Sequence, residues 1–284
     1  MELKEIKNHI LAALEEDIQQ GDYSTLASVK EGDKNKVKLV AKQDGILCGI
    51  DIFCLVFDLL DKSHNIKITK YKKDGDALHK GDIILRMEGN ARAILTGERT
   101  ALNYMQLLSG IATTTKEYVS LIKGMHTKLL DTRKTTPGLR LLEKYAVKTG
   151  GGYNHRFGLF DMIMLKDNHI DFAGGIKQAI EQTNSYLKDN NLSLKIEIEV
   201  RDFKELDEVL QIGGVDRIML DNFTPNDLTK AIKIINGRYE TEASGGINKD
   251  TLKTYAESGV DYISVGALTH HISALDISLI ADDE

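Results

Sequence analysis

Cysteine is scarce in this 284-residue chain: Cys48 and Cys54 are the only two. That is too few for a disulfide framework, and neither pairs with a second Cys or His at zinc-finger spacing, so buried structural thiols are expected. Long apolar runs are absent. None approaches the ~18–20 residues that span a bilayer. The N-terminal M-E-L-K-E-I-K lacks the apolar core of a signal peptide, so a cytoplasmic location with no membrane partner is expected. The eight histidines form no H-E-x-x-H or similar metal motif. No G-x-G-x-x-G follows a first strand, which removes the dinucleotide-binding fingerprint. A basic excess is lacking as well. The formal net charge is −6, which argues against a broad nucleic-acid surface.

Against that acidic background, Asp131 to Ile170 stands out. It carries seven basic residues (133, 134, 140, 144, 148, 156, 166) against four acids (131, 143, 161, 167), a local +3 that leaves −9 for the remainder. A basic island in an acidic protein points to a small anionic ligand. Its form agrees: an apolar run ends in Asp131-Thr132-Arg133-Lys134, three glycines precede His155-Arg156, and another apolar run ends in Lys166-Asp167-Asn168-His169. An isolated Lys or Arg is usually a solvated surface residue; five cations flanking glycines and strand ends are not so easily dismissed. Arg140, Lys144 and Lys148 follow Pro137-Gly138 at helical spacing and read mainly as a helix face.

The bulk numbers, 42% apolar and 28% charged, describe an ordinary globular chain of one large or two modest domains. Leu3, Ile6, Ile10, Leu11, Leu14 and Ile18 predict an amphipathic first helix. Strand-like stretches follow at 36–42, 65–69 and 82–87, with a helix over 50–61, which together suggest a compact α+β domain. A long helical pattern from Gly97 to Gly124 carries Gly110 as an expected break. Thereafter apolar runs at 128–131, 162–165, 195–200, 217–220, 239–243 and 261–265 alternate with helix-like segments. One helix, over 224–236, is signalled by Thr224 as N-cap and Pro225 in the first turn. This rhythm implies a parallel sheet buried on both faces. The runs end in Asp131 and Arg133, Lys166, Glu199, Asp221, Ser244 and Gly266, and strand C-terminal ends are where a β/α barrel builds its site.

Together with G-E-R-T-A-L-N-Y-M-Q-L-L-S-G-I-A-T (97–113), E-I-E-V (197–200), I-M-L-D-N-F (218–223), E-A-S-G-G-I (242–247) and S-V-G-A-L-T-H (264–270), these motifs resemble the quinolinate phosphoribosyltransferase family, in its order from about residue 90 to 270. The resemblance implies an α/β fold: an N-terminal α/β sandwich domain over 1–110, joined by the tail from about 273 to 284, and an open incomplete β/α barrel over 111–272. It implies transfer of phosphoribosyl from phosphoribosyl pyrophosphate to quinolinate with decarboxylation, in NAD biosynthesis, by a magnesium-using pentosyltransferase acting as a homodimer or a higher assembly.

On this reading Ser244-Gly245-Gly246 and Val265-Gly266-Ala267, loops after the last two strands, grip the 5′-phosphate; a helix starting near Asn248 would add its dipole. A lone S-G-G is ordinary turn chemistry, and the second loop is what favours phosphate. Glu199 and Asp221 suit magnesium, reached through water and pyrophosphate oxygens. Glu197 points to the same face as Glu199; solvent exposure is the commoner cause of such acidic alternation. Arg133, His155 and Arg156 match the dicarboxylate ligands, with Thr132 beside them. Lys134 and Lys166 match residues near the pyrophosphate and reacting centre, catalytic together with Glu199 and Asp221. Arg99 matches an arginine supplied from the neighbouring subunit.

Alternatives remain. A related group associated with molybdenum uptake, or an enzyme for another pyridine carboxylate, would use the same scaffold, though a single-carboxylate substrate needs fewer cations. Type I phosphoribosyltransferases carry two adjacent acids within an apolar strand, a segment this sequence lacks. The paired G-D turns of 74–89 resemble a lipoyl- or biotin-carrier hairpin with Lys80 as the only attachment site, but a structural hairpin explains them better.

Overall fold

The computed structural model describes residues 3–61 and 65–282. Residues 1–2, 62–64 and 283–284 of the expected first domain lie outside the described residues. The chain forms two compact units, one made of 1–116, 136–151 and 271–284, the other of 117–135 and 152–270.

The first unit is an α/β sandwich. Its antiparallel sheet runs in the order Ile277–Ala281, Lys34–Ala41, Ile83–Asn90, Lys67–Lys70. Leu39 lies opposite Leu279 on one side and Leu85 on the other, so apolar residues align across three strands and register is fixed by burial. The helix Ile50–Leu60 buries Ile52, Phe53, Val56 and Phe57, with the two rings 5.1 Å apart. Each such side chain contributes roughly 1.5–3 kcal/mol of hydrophobic stabilisation. The segment 74–89 is built into sheets, through Ala77–Leu78 against Gly45–Ile46 and through the strand Ile83–Asn90.

Three expectations need correction here. The first helix, Leu3–Ile18, buries Ile6, Ile10 and Leu14, but Leu11 falls off that stripe and is exposed. The helix Ala91–Leu121 runs 31 residues without breaking at Gly110. Glycine stands there because a Cβ would fall 2.2 Å from the Ser273 carbonyl oxygen, a demand of close packing and not of helix termination. The helix Arg140–Thr149 is present, yet its Lys144 is buried, as is Glu143, so this is no solvated basic face. The Glu143 carboxylate accepts the Thr136 N–H at 3.2 Å, and burial raises its pKa.

In the second unit all six expected strands form one parallel sheet. Their order is Lys128–Leu130, Tyr262–Ser264, Glu240–Ser244, Arg217–Asp221, Ile196–Val200, Ile163–Leu165. The two edge strands are consecutive in the chain, so this is an open, incomplete β/α barrel. Beside the gap, Leu130 makes a single parallel bridge to Tyr153. The strand Ile196–Val200, I-E-I-E-V, is buried at every position, its two glutamates included. The helix Pro225–Ile235 starts at Thr224, whose hydroxyl accepts the Asp227 N–H at 3.2 Å, and ends at Asn236 in the left-handed region.

Candidate active site

Because the six strands are parallel, their C-terminal ends share one rim. Along it lie Thr132, Arg133 and Lys134, then Lys166, Glu199, Asp221, Ser244 and Val265-Gly266-Ala267. Asp221 and Ser244 are register partners, and the Asn222 N–H donates to the Ser244 carbonyl at 2.8 Å.

That pairing sets the glycine loop. Gly245 has φ +100° and Gly246 φ +63°, conformations that cost a non-glycine residue about 1–2 kcal/mol. A Cβ on Gly245 would also fall 2.1 Å from Asn222 Oδ1. Only glycine fits, and the backbone is left open to a close-approaching anion. The helix expected near Asn248 begins at Leu252 and is five residues long, so its dipole does not reach the loop and any grip rests on the glycine backbone itself. In the second loop, a Cβ on Gly266 would meet the Lys134 Cδ and the His270 ring at 3.0 Å. Thr269 Oγ1 donates to the Lys134 carbonyl at 2.8 Å, and Thr132 Oγ1 accepts the Lys134 N–H at 3.0 Å. Lys134 is thus fixed at its backbone, with an exposed side chain.

Lys166, Glu199 and Asp221 form one cluster. Lys166 Nζ lies 2.9 Å from Glu199 Oε2. The Asp221 pKa is raised, first by burial and then by the Glu199 charge, with Lys166 opposing. Two carboxylates that repel each other at the rim, with Lys166 paired to Glu199, are short of positive charge.

Arg133 and Arg156 are short of negative charge. Burial lowers the Arg156 pKa, and the Arg133 charge lowers it further. One amino group of Arg156, Nη1, donates to the Met162 carbonyl at 3.1 Å. Arg133 Nε is buried with no hydrogen-bond partner among the described residues. Two guanidiniums held close enough to repel, one with a buried unmatched donor, describe a receptor for a planar dianion.

His155 is placed differently from these. Its ring is buried in the barrel, with Nε2 2.9 Å from Glu197 Oε2 and 3.4 Å from Glu242 Oε2. Nδ1 accepts the Arg156 N–H at 2.7 Å, so both ring nitrogens already have partners. Burial disfavours the charged ring, but Glu197 and Glu242 outweigh it and push the pKa up to about 9. Glu197 itself is fully buried, contrary to solvent exposure as the commoner cause of its alternation. Burial and the Glu242 charge raise its pKa to about 7. Arg217 Nη1 pairs with Glu242 at 3.0 Å, and its guanidinium lies 4.1 Å from the Tyr262 ring centroid. His155, Glu197 and Glu242 are a group of metal-ligand type among the described residues, but their mutual contacts and Arg217 already satisfy their charge. Sequence reading missed Glu242 and Arg217; acids inside fully buried parallel strands were the available signal.

Arg99 belongs to the first unit. It is exposed on the long helix and lines a cavity of about 290 Å³ with His9, Glu16, Asp17 and Tyr104. His9 Nδ1 and the Tyr104 hydroxyl are 2.6 Å apart there.

The chain matches the family described as quinolinate phosphoribosyl transferase through its N-terminal domain over residues 22–109 and its C-terminal domain over 111–280. It is 44% identical to a probable nicotinate-nucleotide pyrophosphorylase (carboxylating) of Bacillus subtilis, covering 98% of this chain and 93% of that one. A chloroplastic nicotinate-nucleotide pyrophosphorylase (carboxylating) of Oryza sativa is 44% identical over 99% of this chain and 78% of its own length. The crystal structure of NadC from Streptococcus pyogenes superposes with a TM-score of 0.93 at 43% identity, covering 100% of this chain and 99% of that one.

Proposed function

The chain belongs to the quinolinate phosphoribosyl transferase family, and from that premise we propose which residues carry its reaction. The activity is that of a decarboxylating quinolinate phosphoribosyltransferase, a pentosyltransferase of NAD biosynthesis: phosphoribosyl pyrophosphate and quinolinate give nicotinate mononucleotide, pyrophosphate and CO2. The observation that carries the site is the Arg133–Arg156 pair, two mutually repelling guanidiniums at the rim that also holds the glycine loop and the acid cluster. Quinolinate offers two adjacent carboxylates, one for each arginine.

In the proposed reaction Arg133 and Arg156 hold the ring with its nitrogen toward the ribose. Gly245, Gly246 and Gly266 hold the 5′-phosphate through backbone N–H groups, with Ser244, Val265 and Ala267 beside them. The pyridine nitrogen attacks ribose C1 as the pyrophosphate leaves, and the ribose passes through an oxocarbenium-like state. Glu199 and Asp221 face the positive charge that develops on the ribose, while Lys134 and Lys166 stabilise the departing pyrophosphate. The nitrogen is then quaternary, so the ring tolerates an electron pair on the adjacent carbon; the 2-carboxylate departs as CO2, and a proton from water completes the new C–H bond. Most of the protein's contribution is positioning and fixed charge.

The Glu199–Asp221 pair fits magnesium, because the charge of one raises the pKa of the other and a cation relieves that repulsion. Magnesium bound there would neutralise charge on the pyrophosphate. His155 supports the dicarboxylate site from within, and is not one of its open ligands. The assembly is proposed as a homodimer in which Arg99 serves the partner's site, within the cytosol. Incubation with quinolinate, phosphoribosyl pyrophosphate and magnesium, followed by detection of nicotinate mononucleotide and CO2, tests the reading; no product from folded protein would overturn it.

A further inference from the structure

We propose that Asn222 is a positioning residue that ties the Asp221 carboxylate to the glycine loop, so that one side chain sets the acid and the phosphate grip together. The strand Arg217–Asp221 ends at the acid, and the chain turns at Asn222 with φ +56°. Asparagine is one of the few non-glycine residues that enter this left-handed region readily. The turn is held from the neighbouring strand: the Asn222 N–H donates to the Ser244 carbonyl at 2.8 Å, and Ser244 is the register partner of Asp221. With its backbone so placed, the amide lies between two elements of the rim. Asn222 Nδ2 donates to Asp221 Oδ2 at 2.5 Å. An ionised carboxylate only accepts, so Nδ2 is the atom that faces it and Oδ1 faces away. That oxygen lies against Gly245, where a Cβ would fall 2.1 Å from it.

Asp221 needs such a tether because its charged neighbours do not fix it. The Glu199 charge repels it, and Lys166 is committed to Glu199 at 2.9 Å. Left to these forces, the carboxylate would turn away from Glu199. Two neutral donors oppose that turn, the Asn222 amide and the Ser244 side chain. Both belong to the β-strand ends that carry the glycine loop, so the acid and the loop are held in one frame. Hydrogen bonds of this kind, made to a liganding carboxylate by a residue behind it, fix its direction toward metal or substrate. Asn222 is itself exposed at the rim, so the test has to separate action through Asp221 from direct contact with ligand.

This inference rests on the assignment of Asp221 and the glycine loop to phosphoribosyl pyrophosphate. Its test is calorimetric titration of Asn222→Gly, Asp221→Ala and the double variant, with melting curves to verify folding. Glycine accepts the left-handed backbone and removes only the amide. With magnesium present, Asn222→Gly should weaken phosphoribosyl pyrophosphate binding by about tenfold, the lower end for loss of a partner behind a liganding group. Quinolinate affinity should stay within about twofold. In the Asp221→Ala background the same substitution should change phosphoribosyl pyrophosphate binding by less than about twofold, because the group it positions is gone. Unchanged affinity in Asn222→Gly makes the residue a turn former only and overturns the proposal. An equal loss in both backgrounds makes it a direct ligand and overturns it too. If any of these variants does not fold, Asn222→Asp decides: it keeps the shape but has no donor for Asp221, and should weaken phosphoribosyl pyrophosphate binding at least tenfold. Unchanged affinity there overturns the proposal. Wild-type protein that binds no phosphoribosyl pyrophosphate overturns the functional reading and this inference with it, whereas wild-type binding with additive losses overturns the inference alone.

Discussion

Arg156→Ala should weaken quinolinate binding while sparing phosphoribosyl pyrophosphate. A charge-assisted contact to a carboxylate is worth roughly 1.5–3 kcal/mol, or about 10- to 150-fold in affinity. Two features of the structure adjust this figure. Removing Arg156 relieves its repulsion with Arg133, which holds the Arg156 pKa down after burial does; the apo state gains and the net loss falls toward the lower end. The Met162 carbonyl also loses its 3.1 Å donor, but that site is part-buried and water can replace it. A loss near tenfold to fiftyfold is therefore expected. Arg133→Ala frees no such backbone partner, and its buried Nε has no other acceptor among the described residues, so it should lose at least as much. Calorimetric titration of each variant with each ligand separately is the assay. If both arginines chelate one dianion, the double variant should lose less than the sum of the single losses. Equal losses for the two ligands would refute the reasoning and move the arginines to the phosphate side.

Gly245→Ala combines a left-handed backbone penalty of roughly 1–2 kcal/mol with a Cβ 2.1 Å from Asn222 Oδ1; phosphoribosyl pyrophosphate affinity and melting temperature should both fall, and unchanged affinity by calorimetry would remove the phosphate assignment. Glu199→Gln and Asp221→Asn should lower turnover with melting curves unchanged, and full activity at unaltered magnesium demand would refute the metal assignment. Asp161 accepts the Phe157 and Gly158 N–H groups at 2.6 and 2.8 Å, and these bonds outweigh burial to lower its pKa. Its stabilising contribution is therefore full above the ordinary aspartate pKa near ~4 and is lost as pH falls through the lower folded value; Asp161→Asn should flatten the acid side of a stability–pH curve, and an unchanged curve would contradict this. Arg99→Ala and Lys166→Ala homodimers should each be nearly inactive. Mixed and reassembled they should recover roughly a quarter of wild-type activity, since about half the dimers are mixed and each has one intact site in two; no recovery despite proven exchange would place Arg99 in its own chain's site.

Much of the second unit was legible because its signals are local. The strand Arg217–Asp221 reads as R-I-M-L-D, a short apolar run with an acid at its C-terminal end, and Ile196–Val200 as I-E-I-E-V, β-branched residues alternating with acids. Thr224 and Pro225 mark a helix start through nearest-neighbour chemistry. What local signals could not carry were demands set by chain far away in sequence. Gly110 looked like a helix break, yet the Ser273 carbonyl that requires it lies far along the chain. Lys144 read as part of a helix face, and the helix is there, but tertiary packing buries this lysine. The Leu252–Ala256 helix starts late because Asn248 and Thr251 first make a turn, with Asn248 N–H donating to Thr251 Oγ1 at 3.1 Å.

The pair Glu197 and Glu199 shows where pattern reading of a site reaches its limit. Two residues apart on one strand, they face the same side, separated by roughly 6.6 Å along the strand axis. That single step changes the chemistry. Glu199 is slightly exposed and pairs with Lys166, whose side chain is 45% exposed, so its charge remains available to a ligand at the rim. Glu197 is sealed and pairs with His155 and, at longer range, with the Arg217 charge. Burying such groups is tolerable only because each has a partner; deleting one partner of a buried ion pair typically costs about 3–5 kcal/mol. The interior acid is thus committed to holding the scaffold and the rim acid is free to act, a division set by depth in the barrel, which alternation along a strand does not encode.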